Sequence, residues 1–155
     1  MTNIDIANGL VFQALGVSKD AFDDRLLTQK KVFLLQELGV NLGYAYNWYV
    51  RGPYSPDLTS YVYNNLDMLK EQDFSRYRIS DVVQKQIDIV NAFANEKPES
   101  LSVSSWYELL ASVLYIQKRW NKENVYDSLV QYKPQYTREH FEAAIDRLRL
   151  SGYSA

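Results

Sequence analysis

The segment YAYNWYVRGPYSPD, residues 44–57, differs in pattern from the rest of the chain and decides the fold. Up to position 51, aromatic and aliphatic side chains occupy alternate positions, which is the period of a β-strand. Gly52 and the proline after it interrupt this alternation, because glycine permits a sharp change of direction and proline fixes the backbone. Ser55 can cap a helix, and Pro56 suits its first position. The segment therefore predicts a strand over 44–51, a Gly-Pro turn and a helix.

Both sides of this strand have the spacing of amphipathic helices, with apolar side chains every three or four residues. Residues 74–79 predict a short second strand. The predicted helices cover residues 4–16, 21–38, 56 to about 70, a segment from Ser80 through Phe93, 105 to about 120, a short one between Asn121 and Tyr132, and a last one between Thr137 and Gly152. The predicted fold class is mainly α with a minor β part, a compact helical domain that contains a short aromatic strand or hairpin.

The most polar break in the pattern runs from Asn95 to Ser104 and contains a proline. It separates an N-terminal part, residues 1–95 with the strand and the Gly-Pro turn, from a helical C-terminal part, residues 96–155. A chain of 155 residues has the ordinary length of one domain. We therefore expect both parts to belong to one compact domain.

The composition is that of an ordinary globular protein, with 46% hydrophobic and 23% charged residues. The absence of cysteine excludes disulfides, thiol nucleophiles and zinc sites built from cysteine. There is no run of about 18 apolar residues, and the first residues lack the pattern of a signal peptide. The expected location is therefore the cytoplasm, with no membrane partner. The 13 tyrosines are the unusual feature, because tyrosine is enriched at protein interfaces.

The sequence lacks the familiar patterns of a catalytic or metal site. His140 is the only histidine, and no pattern supplies the hydrogen-bonded partner that acid–base catalysis requires. There is no Gly-x-Ser-x-Gly elbow and no glycine-rich phosphate loop. Asp23 and Asp24 begin a helix, where carboxylates stabilise the positive end of the helix dipole. We therefore expect a protein that is not an enzyme and uses no metal or cofactor.

Two interpretations of the aromatic segment remain open. In the first, Tyr46, Trp48 and Tyr54 pack the core, and the turn only connects strand and helix. In the second, Tyr49, Arg51 and Tyr54 form a recognition surface, because aromatic residues and arginine dominate the hot spots of protein interfaces.

Basic residues provide an alternative, DNA binding. A phosphate-binding patch around Lys30 and Lys31 is nearly cancelled by acidic neighbours. In the C-terminal region, two predicted helices joined by a short turn resemble a DNA-binding helix-turn-helix motif. The net charge of −2 argues against a dedicated nucleic-acid-binding protein. The candidate DNA-contacting residues are Lys133, Arg138, Arg147 and Arg149.

Several of these segments resemble a known family. The helix LTQKKVFLLQ, residues 27–36, resembles the lysine-containing helix of the YwgA-like proteins, and RGPYSPDL, residues 51–58, is similar to the GPYS signature of that group. The stretch WYELLAS, residues 106–112, and the later Lys133-Pro134 also look like YwgA. The Panacea group of antitoxin-associated proteins, SocA-like and GepA-like, has a comparable lysine helix and Gly-Pro turn.

The resemblance implies a helical fold with a winged-helix-like element. Panacea-type members imply an antitoxin or adaptor role, or an association with phages and mobile elements. The positions that match the family motif are Lys30, Gly52, Pro53, Tyr54 and Ser55. We expect these positions, with Tyr49 and Arg51, to form a surface that binds an unidentified protein partner without catalysis. A homodimer and a DNA-binding regulator are kept as alternatives.

Overall fold

The computed structural model describes residues 1–120 and 123–153. Within these residues the chain forms seven α-helices and one two-stranded β-hairpin. The helices are α1 (Asn3–Leu15), α2 (Phe22–Glu37), α3 (Pro56–Lys70), α4 (Asp81–Ala92), α5 (Val103–Tyr115), α6 (Val125–Tyr132) and α7 (Arg138–Leu150). A short 3-10 helix (Phe93–Glu96) follows α4, and a π-helical turn (Ile116–Trp120) extends α5. The predicted fold class, mainly α with a minor β part, is confirmed.

Side-chain caps fix where several of these helices begin. Ser55, Ser80 and Thr137 each accept a hydrogen bond from the backbone N–H three residues later, at 3.2–3.3 Å. The predicted caps at these three positions are confirmed. Asn121, the predicted cap of α6, lies outside the described residues. Asn124 caps this helix, with its side-chain oxygen 3.1 Å from the N–H three residues later.

The hairpin consists of strands β1 (Asn47–Tyr49) and β2 (Gly52–Tyr54), which are antiparallel and joined by a two-residue turn. The predicted strand over 44–51 is therefore too long. The side chain of Gln36 on α2 binds both the N–H and the carbonyl of Tyr44 at 3.0 Å, so this backbone pairs with a helix side chain instead of a strand. The predicted turn at Gly52 and its proline is wrong, because both belong to β2.

The prediction of a second strand over residues 74–79 is also wrong, because the segment has a turn at residues 75–76 and irregular backbone on either side. The N–H of Ser75 donates to the Asp73 carboxylate at 2.9 Å, and the N–H of Tyr77 donates to the Phe74 carbonyl at 2.9 Å. Local contacts thus satisfy these two N–H groups without a strand partner. The ring of Phe74 also packs against Gly9 of α1, which anchors the loop.

Helix α5 lies at the centre of the molecule, because every side chain from Trp106 to Tyr115 is buried. It packs against α2 and α7, so the core includes residues from both sides of the polar segment 95–104. The Tyr153 hydroxyl donates to the Leu34 carbonyl of α2 at 2.7 Å and connects the last described residue to this core. Within the described ranges, no helix combines the length and apolar character needed to cross a bilayer.

Candidate functional site

Two buried lysines hold the hairpin against the helices. The Lys30 ammonium of α2 donates to the Pro53 carbonyl at 2.6 Å, and the Lys133 ammonium donates to the Val50 carbonyl at 2.9 Å. Both lysines are almost completely inaccessible to solvent. Hydrogen bonds from charged donors are stronger than neutral ones, so these two contacts fix the position of the hairpin.

A buried carboxylate lies next to these lysines. Glu108 of α5 accepts a hydrogen bond from Arg51 Nε at 2.6 Å and another from the Tyr136 hydroxyl at 3.0 Å. The oxygen that binds Tyr136, Oε2, is 3.9 Å from Lys133 Nζ. We call Lys30, Arg51, Glu108 and Lys133 the charge cluster. It joins the hairpin, α2, α5 and the α6–α7 connection through one anion and three cations.

Burial and unbalanced charge lower the pKa of Lys30. Desolvation, the largest cause, favours the neutral amine, and the nearby Lys133 and Arg51 act in the same direction. Glu108 opposes them, and the pKa of Lys30 falls to about 7. Burial is also the main cause that lowers the pKa of Lys133. The charge cluster therefore changes its net charge near neutral pH.

This pKa predicts a pH-dependent stability. Above pH 7 the folded protein releases the Lys30 proton, whereas the unfolded chain keeps it until about pH 10.5, the ordinary lysine pKa. Since the unfolded chain then binds more protons, the free energy of unfolding should rise with pH, by about 2 kcal/mol between pH 7 and pH 9. Urea unfolding at both pH values measures this rise.

Two lysine variants provide the comparison for this experiment. The rise should be lost in Lys30→Met and kept in Lys85→Met, because Lys85 is exposed on α4. An equal rise in all three proteins would show that Lys30 does not titrate in this range.

The GPYS segment is fixed by side chains of α2 and α3. The Gln29 amide pairs with both backbone groups of Ser55, donating to its carbonyl at 3.0 Å and accepting from its N–H at 2.8 Å. The Tyr54 hydroxyl lies 2.6 Å from the Thr59 hydroxyl, which also binds Gln29 at 2.9 Å. The end of the hairpin and the start of α3 are thus held in one position.

Next to the hairpin is an open cavity of about 420 Å³, bounded by α2, the hairpin and α3. We call it the hairpin cavity. Its walls combine apolar side chains with four basic residues, and no Asp or Glu lines it. A volume above 300 Å³ is typical of sites that receive a small molecule or a large side chain. The basic residues that line it are Lys19, Arg25, Lys30 and Arg51.

Large exposed side chains surround the opening of this cavity. Phe22 and Tyr63 are about half exposed, Tyr49 is 43% exposed, and Val50 at the hairpin turn is 90% exposed. The Arg51 guanidinium lies over the Phe22 ring, 5.5 Å from its centre. The surface around the opening is therefore apolar and aromatic, with a cation at its edge.

The structure brings some of the predicted partner-binding residues to this cavity and buries others. Tyr49, Arg51 and Tyr54 line the cavity, as the recognition interpretation requires. Lys30 also lines it, although its ammonium is engaged by the hairpin. The remaining predicted residues are buried and shape the hairpin from inside. They are Gly52, Pro53 and Ser55.

The predicted DNA-contacting residues differ in exposure and in their partners. Lys133 is buried and bound to the hairpin, so it is not available to a phosphate. Arg138 pairs with Glu142 at 3.3 Å, and Arg147 pairs with Glu96 at 3.1 Å. Arg149 is exposed. The assignment of these four residues to DNA contact stays a prediction, and the buried position of Lys133 does not support its part in it.

His140 has a local structural role. Its Nδ1 accepts a hydrogen bond from the N–H of Thr137 at 3.2 Å, and Nε2 lies 2.8 Å from the Ser100 hydroxyl. This arrangement caps α7 and leaves no ring nitrogen directed at the hairpin cavity. Asp24 caps α2 in a comparable way, accepting from the N–H of Ala21 at 3.1 Å. In the described ranges, no group of three His, Cys, Asp or Glu residues has the geometry to hold a metal ion.

Glu108 and its partner Tyr136 were not identified from the sequence as site residues, and neither were Phe22, Val50 and Tyr63 at the cavity opening. A signal for Glu108 exists, because it is the one charged residue in the otherwise apolar and small stretch from Trp106 to Ile116. A carboxylate buried in such a helix requires a cationic partner. Tyr136 has no comparable signal, since it follows a turn and resembles the other tyrosines.

The fold and the site define a class: a mainly helical protein whose hairpin lies on a charge cluster beside an open, aromatic-edged cavity. Comparisons with models of protein families, with curated proteins and with solved structures found no significant match. The resemblance to YwgA-like and Panacea proteins therefore stays a prediction from the sequence.

Proposed function

We propose that this protein is a non-catalytic interaction protein that receives a side chain of a partner protein in the hairpin cavity. The observation that carries the proposal is the concentration of exposed apolar and aromatic residues around one opening. Phe22, Tyr49, Val50 and Tyr63 all line this cavity. Exposed apolar patches next to a concave site are typical of binding surfaces.

Tyr49, Tyr54 and Arg51 support the proposal because their side chains are already held in place. The Tyr49 and Tyr54 rings pack edge to face, with centres 5.2 Å apart, and Arg51 is positioned by Glu108. Preordered aromatic and arginine side chains lose little conformational freedom on binding, and such residues dominate binding energy at interfaces. An antitoxin or adaptor role, as the family resemblance implies, is one form that such binding takes.

Site-specific photo-cross-linking in the native host tests this proposal. Benzoylphenylalanine should cross-link the same partner protein when it replaces Tyr49 or Tyr63, which line the cavity. Tyr77 provides a matched control, because it is 45% exposed against 43% for Tyr49 and does not line the cavity. Cross-linked protein is identified by mass spectrometry.

The pattern of cross-links decides the result. A partner captured from the Tyr49 and Tyr63 positions but not from the Tyr77 position is the expected result. Equal capture from all three positions, or from none, would contradict the proposal. If only a second copy of this chain is captured, the partner is the protein itself, and the surface is that of a homodimer.

A further inference from the structure

The basic residues of the hairpin cavity have no acidic counterpart in its walls. Four basic residues and no Asp or Glu line the cavity of a protein whose net charge is −2. Three of them have partners within the protein: Lys19 binds Asp67 at 3.1 Å, Arg25 binds a backbone carbonyl at 3.0 Å, and Lys30 binds the hairpin. The fourth, Arg51, also has a partner, because its Nε pairs with the buried Glu108 at 2.6 Å, and it lies at the edge of the cavity.

The Arg51 guanidinium is held on one side and available on the other. Its Nε donates to the buried Glu108 at 2.6 Å, and its plane lies near the Phe22 ring. No residue in the described part of the chain accepts a hydrogen bond from its Nη atoms, and 46% of the side chain is exposed. A guanidinium fixed in this way presents a fork of N–H donors that matches a carboxylate.

We infer that the partner segment combines a large apolar side chain, which fills the hairpin cavity, with a carboxylate that pairs with Arg51. The carboxylate is the C-terminal one of the partner chain, on the residue whose side chain enters the cavity. This inference rests on the proposed function and adds the chemistry of the partner. It follows from the available end of Arg51, because a guanidinium held beside an apolar cavity with its Nη atoms unused by the described residues pairs with a carboxylate.

A pair of probes that differ only in charge tests the inference. N-acetyl-L-phenylalanine carries the apolar ring and a carboxylate, whereas N-acetyl-L-phenylalaninamide carries the same ring without the charge. Titration followed by amide chemical shifts in NMR measures both dissociation constants. We expect the acid to bind roughly tenfold more tightly than the amide, because a hydrogen bond to a charged group is stronger than a neutral one.

Substitutions test whether the preference for the acid depends on Arg51. Arg51→Gln should bind acid and amide equally, whereas Arg78→Gln should keep the preference. Arg78 is a matched control, because it is an exposed arginine paired with Asp81 at 3.4 Å and does not line the cavity. If Arg51→Gln does not fold, the wild-type protein still provides a test, since only the acid should bind more weakly as salt increases.

The outcomes separate the inference from the proposed function. Equal binding of acid and amide to the wild-type protein would overturn the carboxylate inference and leave the proposed function standing. An acid preference that Arg51→Gln retains, or that salt does not reduce, would also overturn the assignment to Arg51. If neither probe binds, the cavity does not receive apolar side chains, and both proposals are wrong.

Discussion

Glu108→Gln is expected to lower the free energy of unfolding by about 3 kcal/mol, because the charge cluster then loses its one anion. Glutamine preserves the shape of the side chain and one hydrogen-bond acceptor. It removes the charge that faces Arg51 at 2.6 Å and Lys133 at 3.9 Å. Two buried lysines and Arg51 would then lie together without a counterion, which favours release of a lysine proton or partial exposure of the hairpin.

Chemical denaturation at pH 6.5 measures this loss, because the charge of Lys30 is most costly below its pKa of about 7. Glu142→Gln is the matched control. Glu142 also pairs with an arginine, Arg138 at 3.3 Å, but both side chains are largely exposed. An exposed pair of this kind contributes about 0.5 kcal/mol. A loss in Glu108→Gln no larger than in the control would show that the charge cluster does not stabilise the fold.

The sequence predicted those features of the fold that depend on local interactions. Helix starts at Ser55, Ser80 and Thr137 were predictable because each cap binds a backbone group only three residues away. The hairpin was predicted only in part, since Lys30 binds its second strand and Lys133 binds its turn from outside. A donor far away in the chain leaves no local sign of which carbonyl it binds.

The candidate site shows the same division. The predictable part is the set of aromatic and arginine side chains near the GPYS motif, because Tyr49, Arg51 and Tyr54 lie within one short segment. The position of Lys133 was not predictable, since a lysine after a helix is usually solvated and only the tertiary fold places this one beside Glu108. The cavity itself also depends on how α2 and α3 pack, which local patterns do not specify.

Gly52→Ala is expected to destabilise the protein by about 3 kcal/mol for two separable reasons. Gly52 has a φ of +87°, a conformation that residues with a side chain rarely adopt. A Cβ atom at this position would also lie 2.6 Å from the Ser112 hydroxyl of α5. Because the lysines and α2 hold the hairpin in place, the clash would displace it from the charge cluster.

Two further variants separate the backbone strain from the clash. Gly39→Ala measures the strain alone, because Gly39 has a φ of +104° and nothing within 4 Å of the added Cβ, so a loss of about 1 kcal/mol is expected. Ser112→Ala removes the hydroxyl that Gly52→Ala would meet. Ser112 Oγ is buried without a hydrogen-bond partner in the described residues, so this change alone should be neutral or slightly stabilising.

The double variant Gly52→Ala/Ser112→Ala completes the comparison. Removing the hydroxyl should recover the clash contribution and leave a loss close to that of Gly39→Ala, so the two substitutions should be strongly non-additive. Urea denaturation of all four variants measures this coupling. Additive losses would show that the hairpin does not press against Ser112. A small loss in Gly52→Ala alone would mean that the hairpin can move away from α5, and the cavity edge that Arg51 and Tyr49 form would then not be preordered for a partner.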